Sequence, residues 1–136
     1  MHHKIDVSSV YITRFYGITQ DPETKNYIMV LEYAENGSLR NYLDKKYDKL
    51  SWKTKLEYLY YIAYGIYGIH EKELIHRDLH IGNILSFPYA CINDMGLCKP
   101  ADYNKLENTN NKNIYGVLPY IAPEILRGQN YTKAAD

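Results

Sequence analysis

The sequence predicts an α+β fold, on three observations. Short runs of β-branched and aromatic residues at positions 10–17 and 27–33 flank a break with turn chemistry, Thr19-Gln20-Asp21-Pro22-Glu23. One long stretch after Ser51 carries apolar residues at three- and four-residue steps, the period of a helix. Two further β-like runs, 83–87 and 90–93, surround Pro88.

The elements follow in order. The first two runs fit a pair of antiparallel strands. Glu35-Asn36-Gly37-Ser38 stops the second, and Ser38 can cap a short helix through Leu39, Tyr42 and Leu43. Residues 44–49 are polar and are expected to form a loop. Ser51 can cap the long helix, in which Leu56, Leu59, Ile62, Ala63, Ile66 and Ile69 form one apolar face. Beyond His70 the pattern dissolves into Leu74-Ile75-His76-Arg77-Asp78-Leu79, and the runs around Pro88 then read as a small hairpin. Residues 99–113 are mostly polar, with Asn108, Asn110, Asn111 and Asn113 and no apolar period, so a loop is expected. Apolar character returns over 116–126, and 131–136 reads as the start of another helix.

Composition narrows the function classes. A chain of 136 residues with 46% hydrophobic and 24% charged residues is of ordinary globular type and holds one domain. Sixteen basic residues balance sixteen acidic ones, so neither a nucleic acid nor a membrane is an expected partner, and any charged ligand must be held locally. No apolar signal region opens the chain and no run is long enough to span a bilayer, which leads to an expectation of a soluble cytoplasmic protein. Cys91 and Cys98 are too far apart for a metal-binding or redox pair and are expected to be reduced.

A His-Arg-Asp triplet alone carries little meaning, and its context gives it more. Asn83 follows Asp78 by five residues, Asp94-Met95-Gly96 follows the hairpin, and the polar loop ends in Ala122-Pro123-Glu124. His76 to Leu85 (HRDLHIGNIL), Asp94 to Gly96 (DMG) and Ala122 to Glu124 (APE), in this order and spacing, resemble the signature set of protein kinases.

The resemblance implies a partial protein-kinase-like fold. Residues 1–31 would be the remnant of the N-lobe (the end of a helix and two strands), 32–37 the hinge, and 38–136 a partial C-lobe, with a catalytic loop at 76–83 and an activation segment at 94–124. The implied activity is transfer of the γ-phosphoryl group of ATP to a protein hydroxyl in signal transduction. Asp78 would orient that hydroxyl and accept its proton, while Asn83 and Asp94 would hold Mg2+, a hard cation that takes oxygen ligands. Leu31 falls at the gatekeeper position. The backbone of Glu32, Tyr33 and Ala34 would meet the adenine edge, Ser38 would lie near the ribose, and Leu85 would form the apolar floor. Arg77 would pair with a phosphate on the activation segment, with Thr109 and Tyr115 as candidate acceptors, and Asp136 would brace the catalytic loop.

Several positions depart from the family pattern. Met95 replaces a phenylalanine. His80 stands where Ser/Thr kinases carry a lysine, and Val117 stands where they carry the threonine that ties that lysine to the aspartate. A protonated His80 would supply part of the lost charge. The hinge, the Asn36-Gly37-Ser38-Leu39 segment and the Tyr120-to-Glu124 ending resemble tyrosine-kinase-like Ser/Thr kinases, so serine or threonine is the expected acceptor. The glycine-rich loop, the strand lysine and its glutamate partner are absent, because Met1 falls where the family's αC helix ends. Weak transfer by the chain alone is therefore expected, and the competing reading is a pseudokinase-like fragment that binds nucleotide or protein as a scaffold.

Overall fold

The computed structural model describes residues 11–103, 114 and 116–136. Strands β1 (Phe15–Gln20) and β2 (Tyr27–Leu31) pair antiparallel, with Gly17 opposite Val30 and Gln20 opposite Tyr27. Asp21 builds the turn between them: its Oδ1 accepts the N–H of Glu23 at 2.8 Å and of Thr24 at 3.2 Å. Those bonds, the Glu23 one first, hold the Asp21 carboxyl below its ordinary range.

β1 starts later than the sequence suggests, because the residues before it pair elsewhere. Ile12 bridges Ile92 in parallel, and the Thr13 N–H and hydroxyl both donate to the Ile92 carbonyl, at 2.8 and 3.1 Å. The backbone groups that would have lengthened β1 are thus spent on the far hairpin.

Ser38 caps α1 (Leu39–Lys46) as expected, its Oγ accepting the Asn41 N–H at 3.3 Å. The expected loop over 44–49 is instead the end of α1 followed by a 3-10 turn, Tyr47–Lys49. Lys45 and Lys46 complement the negative end of the helix, so polarity there marked a solvent-facing turn of helix. Ser51 caps α2 (Trp52–Glu71), accepting the Thr54 N–H at 3.1 Å.

The buried face of α2 differs from the apolar face read in the sequence. Tyr58, Gly65, Gly68 and Ile69 are buried, whereas Leu56 and Leu59 are 50% and 61% exposed and Ala63 is also exposed. The glycines explain the rotation. A Cβ on Gly65 would lie 2.9 Å from Ile92 Cδ1 and 3.0 Å from the Tyr11 carbonyl oxygen, so the helix backbone itself is drawn against the strand. Close approach follows the small residues here, while Leu56 and Leu59 face outward.

Two short sheets complete the frame. β4 (Ile84–Ser86) and β5 (Ala90–Ile92) form the expected hairpin, while β3 (Leu74–Ile75) and β6 (Lys99–Pro100) pair where the sequence reading saw only loop. Both strands of that second pair are two residues long, too short for any periodicity to register. Leu39, Tyr58, Ile84 and Ala90 form the centre of the core, with Tyr42, Leu43, Tyr61, Ile62 and Ile81 packed around them. Tyr11 stacks on Tyr61 with ring centroids 5.2 Å apart and meets Tyr64 and Tyr89 edge-on, tying the segment before β1 to α2 and to the hairpin. Downstream come 3-10 turns at Met95–Leu97 and Leu118–Tyr120, a short α3 (Pro123–Leu126), and a further 3-10 turn, Lys133–Ala135, where the start of a helix was expected. Two-stranded sheets beside separate helices make the class α+β, as the sequence predicts.

Candidate active site

The loop 76–83 leaves β3 at the buried Ile75 and, after eight residues, reaches β4 at Ile84. Its first half is held by one carboxylate. Asp136 Oδ2 accepts the His76 backbone N–H and Oδ1 accepts that of Arg77, both at 2.8 Å, and His70 Nε2 at the end of α2 stands 3.0 Å from Oδ2. The Asp136 side chain is only 1% exposed, so these bonds are sheltered from water. They pin Arg77 in a left-handed conformation, φ 74°, which a long side chain rarely adopts.

His76 is buried and works with both ring nitrogens. Nε2 lies 3.0 Å from the Asn93 carbonyl and Nδ1 accepts the Asp78 N–H at 3.3 Å, so the proton sits on Nε2. The ring therefore joins the loop to the end of β5. From the other side, the Asn93 N–H donates to the Asn83 carbonyl at 2.8 Å, which brings Asp94, the next residue, beside Asn83.

The Asp78 carboxylate is fixed by its neighbours. Asn83 Nδ2 donates to the Asp78 carbonyl and to its Oδ2, each at 3.0 Å. Asp78 Oδ1 is buried with no hydrogen-bond partner among the described residues, and His80 Nε2 stands 3.7 Å from it, beyond hydrogen-bond length. Asp94 has left-handed backbone angles, φ 59° and ψ 69°, tolerated by an aspartate whose Oδ1 accepts the Gly96 N–H at 3.2 Å. With the Asn83 amide nitrogen spent on Asp78, its amide oxygen is the side-chain atom left to act as a ligand. An amide oxygen beside an exposed carboxylate is a hard-oxygen donor set, which suits Mg2+.

Arg77 lies over the ring of Tyr131, its guanidinium carbon 4.5 Å from the centroid. Burial, aided by the charges of Asp78 and Asp136 and opposed by Arg77, raises the Tyr131 hydroxyl above its ordinary pKa. Gly116, Val117 and Tyr120 line the same small cavity as Arg77 and Asp78. The candidate acceptors Thr109 and Tyr115 lie outside the described residues.

The residues expected to meet adenine lie along the connection from β2 to α1. Leu31 ends β2, the Glu32 N–H donates to the Arg14 carbonyl at 2.9 Å, Tyr33 is 82% exposed, and Ala34 is buried with its carbonyl accepting the Gly37 N–H at 3.0 Å. That bond occupies one lone pair of a carbonyl expected to face the adenine edge. Ser38 and Leu85 are brought together by an antiparallel bridge, and the Ser86 N–H donates to the Gly37 carbonyl at 2.9 Å. The Ser38 hydroxyl expected near a ribose is meanwhile the cap of α1.

Sequence reasoning missed four participants. His70 and Tyr131 carry no local signal, because each meets the loop from a distant part of the chain. Asn93 acts through its backbone, which any residue supplies. Gly82 carried a signal in its type, since it lies against the His80 ring.

Known proteins are similar in sequence over this region. Residues 3–136 match the sequence model of a family described as protein tyrosine and serine/threonine kinase. A Dictyostelium discoideum protein named a probable serine/threonine-protein kinase is 32% identical over 135 residues, covering 96% of this chain and 7% of its own length. A mitogen-activated protein kinase kinase of Pyricularia oryzae is 33% identical over 138 residues, covering 97% of this chain and 25% of its own. A protein of Arabidopsis thaliana named a probable L-type lectin-domain containing receptor kinase is 31% identical over 122 residues, covering 84% of this chain and 19% of its own. The chain thus spans a quarter or less of the length of each of these relatives.

Proposed function

Because this chain belongs to the protein tyrosine and serine/threonine kinase family, we propose that it transfers the γ-phosphoryl group of ATP to a serine or threonine hydroxyl of a protein. The observation that carries this reading is the state of Asp78. One carboxylate oxygen is held by Asn83, and the other is a buried acceptor with no partner among the described residues. An unmatched buried acceptor is costly unless a ligand completes it, and a substrate hydroxyl would do so by donating its proton. Relatives named as serine/threonine kinases favour that acceptor over tyrosine.

In this reading Asn83, through its amide oxygen, and Asp94 hold Mg2+, which when bound neutralises charge on the phosphates. The chain's own residues do the rest. Asp78 aligns the hydroxyl and takes its proton as the oxygen attacks, while the Asp136 bonds keep the loop from shifting. The backbone from Glu32 to Ala34 meets the adenine, Tyr33 turning its side chain to water; Leu31, Ser38 and Leu85 line the rest of the nucleotide site. Arg77 serves as the pairing cation for a phosphorylated activation segment. Residues 1–31, 32–37 and 38–136 act as N-lobe remnant, hinge and partial C-lobe, with the catalytic loop at 76–83 and the activation segment at 94–124. Among the described residues no helix is long and apolar enough to cross a membrane, and the cytoplasm, where cysteines stay reduced, is the proposed compartment.

The test has two arms. Mn2+ with ATP is added to the isotopically labelled chain, and paramagnetic broadening centred on Asn83 and Asp94 is expected, lost in Asp94→Asn. Phosphoryl transfer to a peptide pool bearing serine, threonine and tyrosine is followed by phosphoamino-acid analysis, with Asp78→Asn as the inactive control. Broadening elsewhere, or transfer that survives Asp78→Asn, would overturn the assignment.

A further inference from the structure

The geometry points to His80 and Gly82 as a single unit, a positioning latch for Asp78 in which the glycine exists to make room for the imidazole. The inference rests on the phosphoryl-transfer reading for its catalytic consequence and on local geometry alone for its structural one.

Gly82 N–H donates to His80 Nδ1 at 3.0 Å. An accepting Nδ1 places the ring proton on Nε2, and Nε2 is the nitrogen that faces Asp78 Oδ1 at 3.7 Å. Asn83 hydrogen-bonds Oδ2, and the N–H dipole of His80 orients the carboxylate through Oδ1 from 3.7 Å without closing a hydrogen bond, so Oδ1 stays an open acceptor. Gly116 lies beside Oδ1, where a Cβ would stand 3.5 Å from it. A cationic ring, the expectation from sequence, would carry a second proton on Nδ1 and lose the Gly82 bond.

Gly82 is not explained by its backbone, since it is absent from the glycines with positive φ. It is explained by space. A Cβ at this position would stand 2.8 Å from both Cε1 and Nδ1 of His80, closer than nonbonded atoms tolerate. The clash involves a side chain that can swing away, so an alanine here would leave the fold intact and eject the ring. Tyr120, with its ring centroid 5.9 Å from that of His80, closes the other side. The imidazole at 80 and the glycine at 82 are therefore one change, and the loop spacing from Asp78 to Asn83 places both between the two residues that define the site.

The experiment begins with the full chain labelled with 15N-histidine. His80, assigned by its loss in His80→Ala, should show an unprotonated Nδ1 and a protonated Nε2, and Gly82→Ala should shift both signals while the circular-dichroism spectrum stays unchanged. Phosphoryl transfer is then compared across variants. His80→Ala should lower kcat by about tenfold to a hundredfold with the KM for ATP unchanged. Gly82→Ala should match it, and the double variant should be no worse than either alone. His80→Gln, whose amide N–H can reach the same point, should recover most of the rate. A protonated Nδ1, or unshifted histidine signals in Gly82→Ala, would overturn the latch whether or not the chain transfers phosphate. Additive losses in the double variant would overturn it equally, while loss of transfer in wild type with the nitrogen signals as expected would count against the kinase reading alone.

Discussion

Replacing Asp136 by alanine should cost about 4 kcal/mol of stability. The carboxylate accepts two backbone N–H groups at 2.8 Å and faces His70 Nε2 at 3.0 Å. Each donor left unmatched in the interior costs about 1–3 kcal/mol, the higher figure applying to the buried His76 and the lower to the partly exposed Arg77 and His70. Alanine also recovers the cost of burying a charge, so the sum stays near the lower half of its range and within the roughly 3–5 kcal/mol seen when a buried charge network loses one member. Asparagine keeps one acceptor oxygen and turns an NH2 toward the other amide, and about 2 kcal/mol is expected for it. Urea denaturation followed by far-UV circular dichroism would give both values from midpoints at constant m. Hydrogen exchange supplies the local readout: the amides of His76 and Arg77 should accelerate beyond the rest of the chain. A loss below about 1 kcal/mol in the alanine variant, or unchanged exchange at those two amides, would refute the view that one buried carboxylate holds the loop.

Three further outcomes follow from contacts elsewhere. In Gly65→Ala, better helix propensity gains about 1 kcal/mol, but the new Cβ meets Ile92 at 2.9 Å and the Tyr11 backbone oxygen at 3.0 Å, and overpacking costs about 1–3 kcal/mol. A net loss near 1 kcal/mol is expected in the urea midpoint, and stabilisation would show that the seam can open. Tyr58→Phe strands the buried Ser86 hydroxyl, now 2.9 Å from the phenol, and should cost about 1–2 kcal/mol, partly restored by adding Ser86→Ala; an unchanged midpoint would mean that water replaces the phenol. Burial first, and then the charge of Glu32, push the Cys91 thiol from 9.0 up to about 12. The folded pKa lies above the unfolded one, so the thiol's contribution is complete below pH 9.0 and is lost as pH rises toward 12. Wild type should therefore lose stability more steeply over that window than Cys91→Ala, and parallel alkaline declines would contradict the shift.

The fold was legible where a pattern was long or a cap was chemical. Ser38 and Ser51 marked the starts of α1 and α2, and the runs about Pro88 marked the hairpin. The facing of α2 was only partly legible from apolar period: Ile62 and Ile69 obey the period and pack inward, whereas Leu56 and Leu59 obey it and lie exposed while Gly65 and Gly68 lie inside. Hydrophobicity measures what a side chain gains by burial, and a glycine in a tight seam contributes by having none. At the site, motif spacing singled out Asp78, Asn83 and Asp94, and the folded chain brings the first two into contact and the third beside them. What spacing does not encode is the set of supports: a backbone carbonyl at Asn93, a helix-end imidazole at His70 and an aromatic face at Tyr131, all defined by distance in space.

The hairpin of β1 and β2 hangs from the rest of the molecule by two adjacent strands of chain, stitched to each other where the Glu32 N–H meets the Arg14 carbonyl. One of them is bolted at Thr13 to the carbonyl of Ile92. The residue after Ile92 is Asn93, whose carbonyl faces His76 Nε2 and whose N–H donates to the Asn83 carbonyl. The anchor of the outer hairpin and the supports of the loop that carries Asp78 are therefore adjacent residues, one peptide apart.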